Sequence, residues 1–237
     1  MKKIKINCIE DLENLNYLNS NGEYYISLER NLDFEDINSY KDKNNYYKFL
    51  ESKKSNGFNV INMENKIFIF NGNNCVISNL VISREKEDNV GLFKNISNSI
   101  IKNLNIDNAY IEGRIKVGII AGTMEGEIIN TNINGNVNGK LLVGGFVGES
   151  KEKIYFCNNK MNGNISGNAF IGGLLGKGEN SIIFDNEVDS KILYNQIKSW
   201  ETINEYVGYS SHSIVREKDY RKRPFISYEG IGGFILK

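Results

Sequence analysis

The sequence is poor in several residues on which common protein classes depend. Its 237 residues include one proline (Pro224), one histidine (His212) and three separated cysteines (Cys8, Cys75 and Cys157) without a CxxC pair. Neither a disulfide framework nor a zinc site is indicated by such cysteines. A metal site built from several histidines is excluded by the count. We therefore expect no metal ion and no cofactor.

Net charge and long apolar runs are also missing. Lysine plus arginine and aspartate plus glutamate both number 29, so the balance gives no reason to expect binding to polyanions such as nucleic acid. No apolar run approaches the roughly 18 residues of a membrane span. The N-terminus reaches Glu10 and Asp11 before any apolar region of a signal peptide. We expect no membrane insertion. As written the chain is cytoplasmic, and it is secreted or surface-exposed if it is a fragment or a processed piece.

Glycine-containing segments recur at a nearly constant interval. They are Asn89–Phe93, Lys116–Gly122, Leu142–Gly148 and Phe170–Gly176. Their leading glycines, Gly91, Gly118, Gly144 and Gly172, are 27, 26 and 28 residues apart. We interpret the Gly-Gly pairs as corners that need a positive φ angle. Repeats at such a period indicate a stack of similar coils.

A second motif keeps the same interval and has a polar third position. That position is occupied by Asn79, Asn103, Asn130, Asn158 and Asp185, at spacings of 24, 27, 28 and 27 residues. The alternation of apolar residues slips by one after this position, which indicates a corner rather than a continuous strand. Asparagine tolerates left-handed backbone, and its side chain can bond within a turn or to the coil above. We predict that these five residues form a stacked corner ladder.

Each period contains three short β-like runs, none long enough to bury an apolar face alone. Stacked coils bury it together, so we predict an all-β, right-handed parallel β-helix with about 27 residues and three short strands per coil. Residues 1–57 form an N-terminal cap with a helix, a strand and a polar helical insertion. Residues 58–190 form the coils. Residues 191–237 contain an off-beat helical excursion (191–204) and a degenerate last coil.

The glycine segments Leu142–Gly148 and Phe170–Gly176, together with the asparagine motif, resemble the GLUG-motif repeat of bacterial surface proteins. That repeat also precedes the protease part of some IgA-cleaving metallopeptidases. The similarity covers roughly residues 58–190 and implies a β-helix with an adhesion or presentation role. No HExxH sequence is present, so the peptidase activity of those larger proteins is not expected here.

Three functions are compatible with this repeat. The favoured one is a non-catalytic recognition module, an adhesion or protein-binding scaffold whose partner is a protein or a glycan. The first alternative is an intracellular protein-binding inhibitor or a host or phage interaction factor. The second is a carbohydrate-active enzyme that uses Asp185, Glu187 and Asp189, which alternate along one run. We do not expect an enzyme, because the acids lack counterparts in the neighbouring repeats.

Two candidate binding surfaces follow from the pattern. The outward columns of the asparagine motif are predicted as Ser78, Lys102, Ile129, Cys157, Phe184 and as Val76, Ile100, Glu127, Tyr155, Ile182. Toward the C-terminus these columns are apolar at Ile129, Tyr155 and Phe184, a patch that segment 191–204 with Trp200, or a partner, must cover. The second surface is a basic segment suited to phosphate, sulfate or an acidic protein, formed by Arg216, Lys218, Tyr220, Arg221, Lys222 and Arg223. The open end of a β-helix also permits self-association.

The predicted corner ladder can be tested by removing its side chains. Replacing Asn130 or Asn158 by alanine should lower the free energy of unfolding by roughly 1–3 kcal/mol, because backbone groups lose a hydrogen-bond partner. Thermal unfolding of each variant measures this change. An unaltered melting temperature in both variants would contradict the ladder.

Overall fold

The computed structural model describes residues 1–194, 203–204, 206–211, 214–217 and 234–235. The described part of the chain has two α-helices, α1 (Ile9–Glu13) and α2 (Lys43–Ser52), and two short 3-10 helices, Asn14–Tyr17 and Ile37–Ser39. The strands of the first half are β1 (Lys2–Ile6), β2 (Glu23–Leu28), β3 (Leu32–Asp33), β4 (Ile67–Asn71), β5 (Val76–Ser78), β6 (Val81–Ser83), β7 (Asp88–Val90), β8 (Phe93–Lys102), β9 (Asn105–Glu112), β10 (Ile115–Val117), β11 (Ala121–Ile129) and β12 (Asn132–Asn138). The strands of the second half are β13 (Leu141–Gly144), β14 (Val147–Ser150), β15 (Ile154–Cys157), β16 (Lys160–Gly167), β17 (Ala169–Gly172), β18 (Leu175–Glu179), β19 (Ser181–Tyr194), β20 (Ile203–Asn204), β21 (Val207–Ser211), β22 (Ile214–Glu217) and β23 (Phe234–Ile235).

These strands form a parallel β-solenoid of about five turns, which confirms the predicted β-helix. Each strand pairs in parallel with its counterpart one coil away. For example, β10 lies between β7 and β13, with Ile115 opposite Asp88 and Leu141. A full coil contains three strands, as in β10–β11–β12. The interval of 26 to 28 residues seen in the sequence is therefore the length of one coil.

Each coil has three sides. Side 1 contains β1, β2, β4, β8, β11, β14, β15, β18, the beginning of β19 and β21 to β23. Side 2 contains β3, β5, β6, β9, β12, β16 and the end of β19. Side 3 is a separate sheet of β7, β10, β13, β17 and β20. Sides 1 and 2 share one hydrogen-bonded sheet because β19 runs around the corner and pairs first with β15 and then with β16.

The core is a stack of apolar side chains from alternate positions of each strand. On side 1, Ile101, Ile128, Phe156 and Ile183 lie in one column and are fully buried. Side 3 contributes a matching column of Val90, Val117, Val143 and Ile171. Neighbouring coils bury each other's apolar faces, so no coil depends on a core of its own.

The polar corner positions have the backbone that the sequence predicted. Asn103, Asn130, Asn158 and Asp185 adopt φ angles between 49° and 55°. The Asn130 amide donates to Asn103 Oδ1 at 3.3 Å, and the Asn158 amide donates to Asn130 Oδ1 at 2.7 Å. At the N-terminal end of the column, the Asn103 amide donates to Oδ1 of Asn71 at 3.1 Å, although Asn71 itself lies opposite Lys102 in the neighbouring column.

The assignment of Asn79 to this column needs correction. Asn79 also has a positive φ, but its amide donates to Asp33 at 2.7 Å and its oxygen accepts from Asn108 at 2.6 Å. It therefore lies within side 2, at the break between β5 and β6, opposite the middle of β9. The spacing of 24 residues between Asn79 and Asn103, three shorter than the next interval, is the sequence signal of this difference.

The prediction that the glycines of the repeat need a positive φ angle was wrong. No leading glycine of the repeat has a positive φ; Asn89, Lys116, Leu142 and Phe170 have it instead. The closing glycines cross directly over those residues one coil away. A Cβ on Gly148 would lie 2.3 Å from the Lys116 carbonyl carbon, and one on Gly176 would lie 2.4 Å from that of Leu142. Glycine is required there because two backbones meet, not because of its φ angle.

A second, buried ladder lies one residue after the exposed corner column and was not predicted. Asn159 Oδ1 accepts from the Thr131 amide at 2.9 Å, and its side chain donates to the Ile128 carbonyl at 2.8 Å. Asn186 repeats the arrangement, accepting from the Asn159 amide at 2.9 Å. Both asparagines are buried. These side chains satisfy backbone groups that the turn removes from the strand ladder.

The N-terminal region contains both helices and also the first strands of the solenoid. Ile9, Leu12 and Leu15 are buried at the helical spacing seen in the sequence. Strand β1 pairs in parallel with β2, so the sheet of side 1 begins at residue 2. At the other end, β19 continues to Tyr194 in register with β16. Residues 191–194 and 203–204 of the expected helical excursion are therefore strand, and residues 195–202 lie outside the described residues.

The two ladders should differ in their contribution to stability. Asn159→Ala leaves a buried amide and a buried carbonyl without partners, and should lower the free energy of unfolding by about 3 kcal/mol. Asn158 is exposed, so Asn158→Ala should cost only about 1 kcal/mol, much of it backbone strain at positive φ.

Urea unfolding of both variants measures the difference in the free energy of unfolding. Because the side chains of Asn158 and Asn130 are exposed, the loss now expected at these two positions is at the lower end of the range given from the sequence. Asn158→Gly is the matched control, because glycine removes the side chain without the strain. An equal or larger loss for Asn158→Ala than for Asn159→Ala would contradict the assignment of the two ladders.

Candidate functional site

One outer face of the solenoid is apolar where a water-facing sheet is usually polar. The face lies on side 1, on the outward positions of β4, the ends of β8 and β11, β15 and the start of β19. One column reads Ile69, Ile100, Glu127, Tyr155 and Ile182, and the other reads Asn71, Lys102, Ile129, Cys157 and Phe184. We call this set the apolar face. All ten side chains are half-buried by their neighbours in the sheet.

The structure places Ile129, Tyr155 and Phe184 together on this outer surface, as the sequence pattern indicated. The first members of the predicted columns are corrected, because Val76 and Ser78 lie in β5 on side 2, opposite Asn105 and Asp107. Their places are taken by Ile69 and Asn71. The apolar character therefore extends further toward the N-terminus than the sequence analysis assumed.

Aromatic contacts add to the apolar face at both ends. The ammonium of Lys153 lies 5.2 Å from the centre of the Tyr155 ring, within the range of a cation–π contact. Near the N-terminus, Tyr25 pairs with Ile69 across the strands, and its hydroxyl accepts a hydrogen bond from the Asn71 amide at 3.0 Å. From Tyr25 to Ile182 the column contains one residue from each of six strands, and the five steps between them, at about 4.8 Å each, span about 24 Å.

The outer face of side 2 has the opposite composition and serves as an internal comparison. Its columns read Asn105, Asn132, Lys160, Glu187 and Asp107, Asn134, Asn162, Asp189. Neighbouring coils are joined by side-chain bonds, such as Asn132 to Asn105 at 3.0 Å and Asn134 to Asp107 at 2.8 Å. We call this set the polar face. The two faces belong to the same coils, so the apolar residues of side 1 are specific to its outward positions and do not reflect the overall composition of the chain.

The three acids considered for glycosidic chemistry do not act together on one surface. Glu187 and Asp189 lie on the polar face, whereas Asp185 lies at the corner with φ 55°. Glu187 is already paired with Lys160 at 3.0 Å. Within the described ranges, no group of three or more histidine, cysteine, aspartate or glutamate side chains is placed to hold a metal ion.

Five of the predicted binding residues lie outside the described residues: Lys218, Tyr220, Arg221, Lys222 and Arg223. Trp200, which was expected to cover the apolar patch, and the single histidine, His212, also lie outside them. The backbone of Arg216 is described and pairs with Phe184 through β22. The basic segment therefore stays a prediction from the sequence. Among the residues that are described, no helix is long and apolar enough to cross a membrane.

A buried ion-pair cluster where side 3 meets side 1 was not predicted from the sequence. The Glu149 side chain is 6% exposed and lies 2.9 Å from the Lys116 ammonium and 3.6 Å from that of Lys177. A hydrogen bond with Glu179 and the nearby carboxylate charges raise the pKa of Lys177. The two lysines come from the coils before and after Glu149, so the cluster joins three coils by charge.

Comparisons with known proteins support the fold and leave the family open. No family model matches the chain, so the GLUG resemblance stays a prediction. A stretch of 99 residues, 40% of the chain, is 37% identical to halomucin of Haloquadratum walsbyi strain DSM 16790 / HBSQ001, and spans 1% of that protein. A crystal structure from Bacteroides ovatus, provisionally described as an immunoglobulin A1 protease, is similar with a TM-score of 0.53 and 17% identity. That likeness covers 99% of this chain and 83% of the other, and it shows the shared fold.

The inward and outward positions of side 1 can be distinguished by replacing one phenylalanine on each face with alanine and comparing the loss of stability. Phe156→Ala should lower the free energy of unfolding by about 3–5 kcal/mol, because Phe156 is fully buried. Phe184→Ala should cost less than about 1 kcal/mol, because its side chain faces outward. Chemical denaturation measures both values. Similar losses in the two variants would show that Phe184 belongs to the core.

Proposed function

We propose that this chain is a non-catalytic recognition module presented at a cell surface, and that it binds a protein through the apolar face. The observation that carries the proposal is the contrast between the two outer faces of one solenoid. Side 2 has a face of amides and charges, whereas side 1 offers isoleucines and aromatic rings over about 24 Å. Contiguous apolar surface of this kind is typical of interaction sites.

The chemistry of the apolar face favours a protein over a glycan. Its isoleucines (Ile69, Ile100, Ile129 and Ile182) supply no hydrogen-bonding groups, whereas a sugar surrounds itself with hydroxyls that need partners. Apolar protein surface gains from burying such side chains, and aromatic residues such as Tyr155 and Phe184 are enriched in protein interfaces. The polar members, Lys102 and Glu127, offer charges that set the register of a partner.

The compartment is supported by the two similar proteins. The name halomucin points to a mucin-like extracellular protein, and an immunoglobulin protease would act on a secreted substrate. Both names refer to a setting outside the cell, so presentation outside the cell is the common element. The intracellular inhibitor of the sequence analysis would use the same face, and differs from the proposal only in location.

A photo-reactive amino acid placed on each outer face tests the proposed surface. The reactive group at Ile129 should cross-link one protein when the purified chain is mixed with the surface-protein fraction of its native environment. The same group at Asn162, on the polar face, is the matched control and should not. The Phe184→Lys substitution, combined with the reactive group at Ile129, should abolish the product because a charge enters an apolar contact.

Three results would count against the proposal. Equal products at Ile129 and Asn162 would show that the apolar face is not selective, and an unaffected product in Phe184→Lys would show that the contact lies elsewhere. A cross-linked product that glycosidases remove would assign a glycan partner. Location is tested separately with a membrane-impermeant lysine reagent on intact cells, because labelling of the native protein supports surface exposure and protection supports the intracellular alternative.

A further inference from the structure

A cleft between the N-terminal helices and the first coils contains chemistry that the solenoid does not use. The cleft is open to solvent on one side and has a volume of about 380 Å³, which lies within the range of sites for small molecules. Its apolar walls come from α1 and α2 and from the chain leading into the coils: Ile9, Tyr40, Phe49 and Phe58. Phe49 and Phe58 each pack against the buried Phe34, with ring centres 5.1 and 5.0 Å apart, so these aromatic walls are held in place.

Most polar groups that line the cleft already have partners within the protein. Burial raises the pKa of Glu10, but hydrogen bonds from the backbone of Lys41 and Asp42 and from the Asn45 amide outweigh it and bring the pKa to about 2. The Tyr40 hydroxyl donates to the Phe34 carbonyl at 3.0 Å. These groups fix the geometry of the cleft and leave little capacity for a ligand.

The Arg84 guanidinium is similarly committed. It donates to the Phe58 carbonyl at 3.3 Å and to Asn59 Oδ1 at 3.1 Å, and it lies 3.6 Å from the Glu87 carboxylate. Lys48 stands exposed at the rim, 3.5 Å from Asn45 Oδ1, where its ammonium can turn to water. Among the residues that the structure describes, no free cation therefore lies in the interior of the cleft to attract an anionic ligand.

Glu13 is the exception. Its side chain lines the cleft and is half-buried, and within the described ranges its carboxylate has no hydrogen bond or ion pair. Burial and then the neighbouring Glu10 charge raise the pKa of Glu13, which Lys48 offsets only in part. Folding therefore gains nothing from this charge, and a half-buried carboxylate beside aromatic rings is costly unless a cation joins it.

We propose that the cleft binds a small organic cation, a primary ammonium group on a short apolar chain. The Glu13 carboxylate accepts its hydrogen bonds, and the rings of Tyr40 and Phe49 contact the cation and its chain. Charge-assisted hydrogen bonds and cation–π contacts both favour an ammonium ion over a neutral or anionic group of the same size. This site is separate from the apolar face and does not depend on its function.

A titration with three matched probes tests the assignment. The full chain is titrated with butylammonium chloride, 1-butanol and sodium butyrate at constant ionic strength, and amide chemical shifts are followed by NMR. Only the ammonium ion should give saturable shifts, and they should centre on Ile9, Phe49 and Phe58. In Glu13→Gln the affinity should fall by about tenfold or more. In Glu51→Gln, an exposed acid of α2 outside the cleft, it should not change.

The stability of the variant separates a binding role from a structural one. A carboxyl group whose pKa is raised on folding weakens the folded state at pH values above its unfolded pKa, so Glu13→Gln should melt at an equal or higher temperature at pH 7. A lower melting temperature would assign Glu13 to the fold and overturn the proposal. So would equal shifts with 1-butanol, shifts outside the cleft, absence of saturation with the ammonium ion, or unchanged affinity in Glu13→Gln.

Discussion

The structure depends on backbone contact between one coil and the next. Every strand is paired with its counterpart a coil away, so both the strands and the corners must superimpose from coil to coil. At the corners this brings main chains together more closely than a side chain permits. Gly148 crosses over Lys116, and Gly176 crosses over Leu142, each at a distance that excludes a Cβ atom. The period of the sequence is therefore a consequence of this contact, because every coil needs its glycine at the same place.

The same superposition determines the outer surface. Residues at equivalent positions of successive coils form columns along the solenoid. A residue type that recurs at one position of the repeat therefore appears in every coil along the same column. On side 2 the columns contain amides and charges that bond to each other, as Asn134 does to Asp107. On side 1 six of the ten column positions contain isoleucine or aromatic residues, and Asn71, Lys102 and Glu127 are the polar members. A repeat protein thus builds an extended, mainly apolar surface from two repeated positions, which supports the proposed binding role of the apolar face.

Periodicity and parity in the sequence were sufficient to predict the coil, its length and the direction of Ile129, Tyr155 and Phe184. These properties follow from spacing alone. The φ angles at the glycine segments could not be predicted in this way. A close approach between two coils and a left-handed turn both require glycine, so the sequence does not distinguish them. The buried role of Asn159 was missed because the asparagine beside it, Asn158, is exposed, and the two look alike in the sequence. They differ in their partners: Asn159 bonds to backbone groups that the strands leave unpaired, whereas Asn158 bonds to the side chain of Asn130.

The N-terminal cleft was beyond sequence reasoning for a different reason. Its walls combine residues from Ile9 to Arg84, and no repeated spacing connects them. The unpaired state of Glu13 is visible only after every neighbouring polar group has been assigned its partner. Sites within the repeat can be anticipated from the pattern, whereas sites at its end need the structure.

The free energy of unfolding of Gly148→Ala, measured against Gly167→Ala, tests the coil-contact account most directly. The backbone of Gly148 has an ordinary φ angle, so alanine is acceptable there except for the 2.3 Å approach to Lys116. At Gly167 the nearest atoms to an added Cβ are side-chain carbons at 3.0 and 3.3 Å and a carbonyl oxygen at 3.2 Å, which small movements relieve. The account predicts a loss of about 3 kcal/mol or more for Gly148→Ala and about 1 kcal/mol or less for Gly167→Ala. Equal losses at the two positions would contradict it.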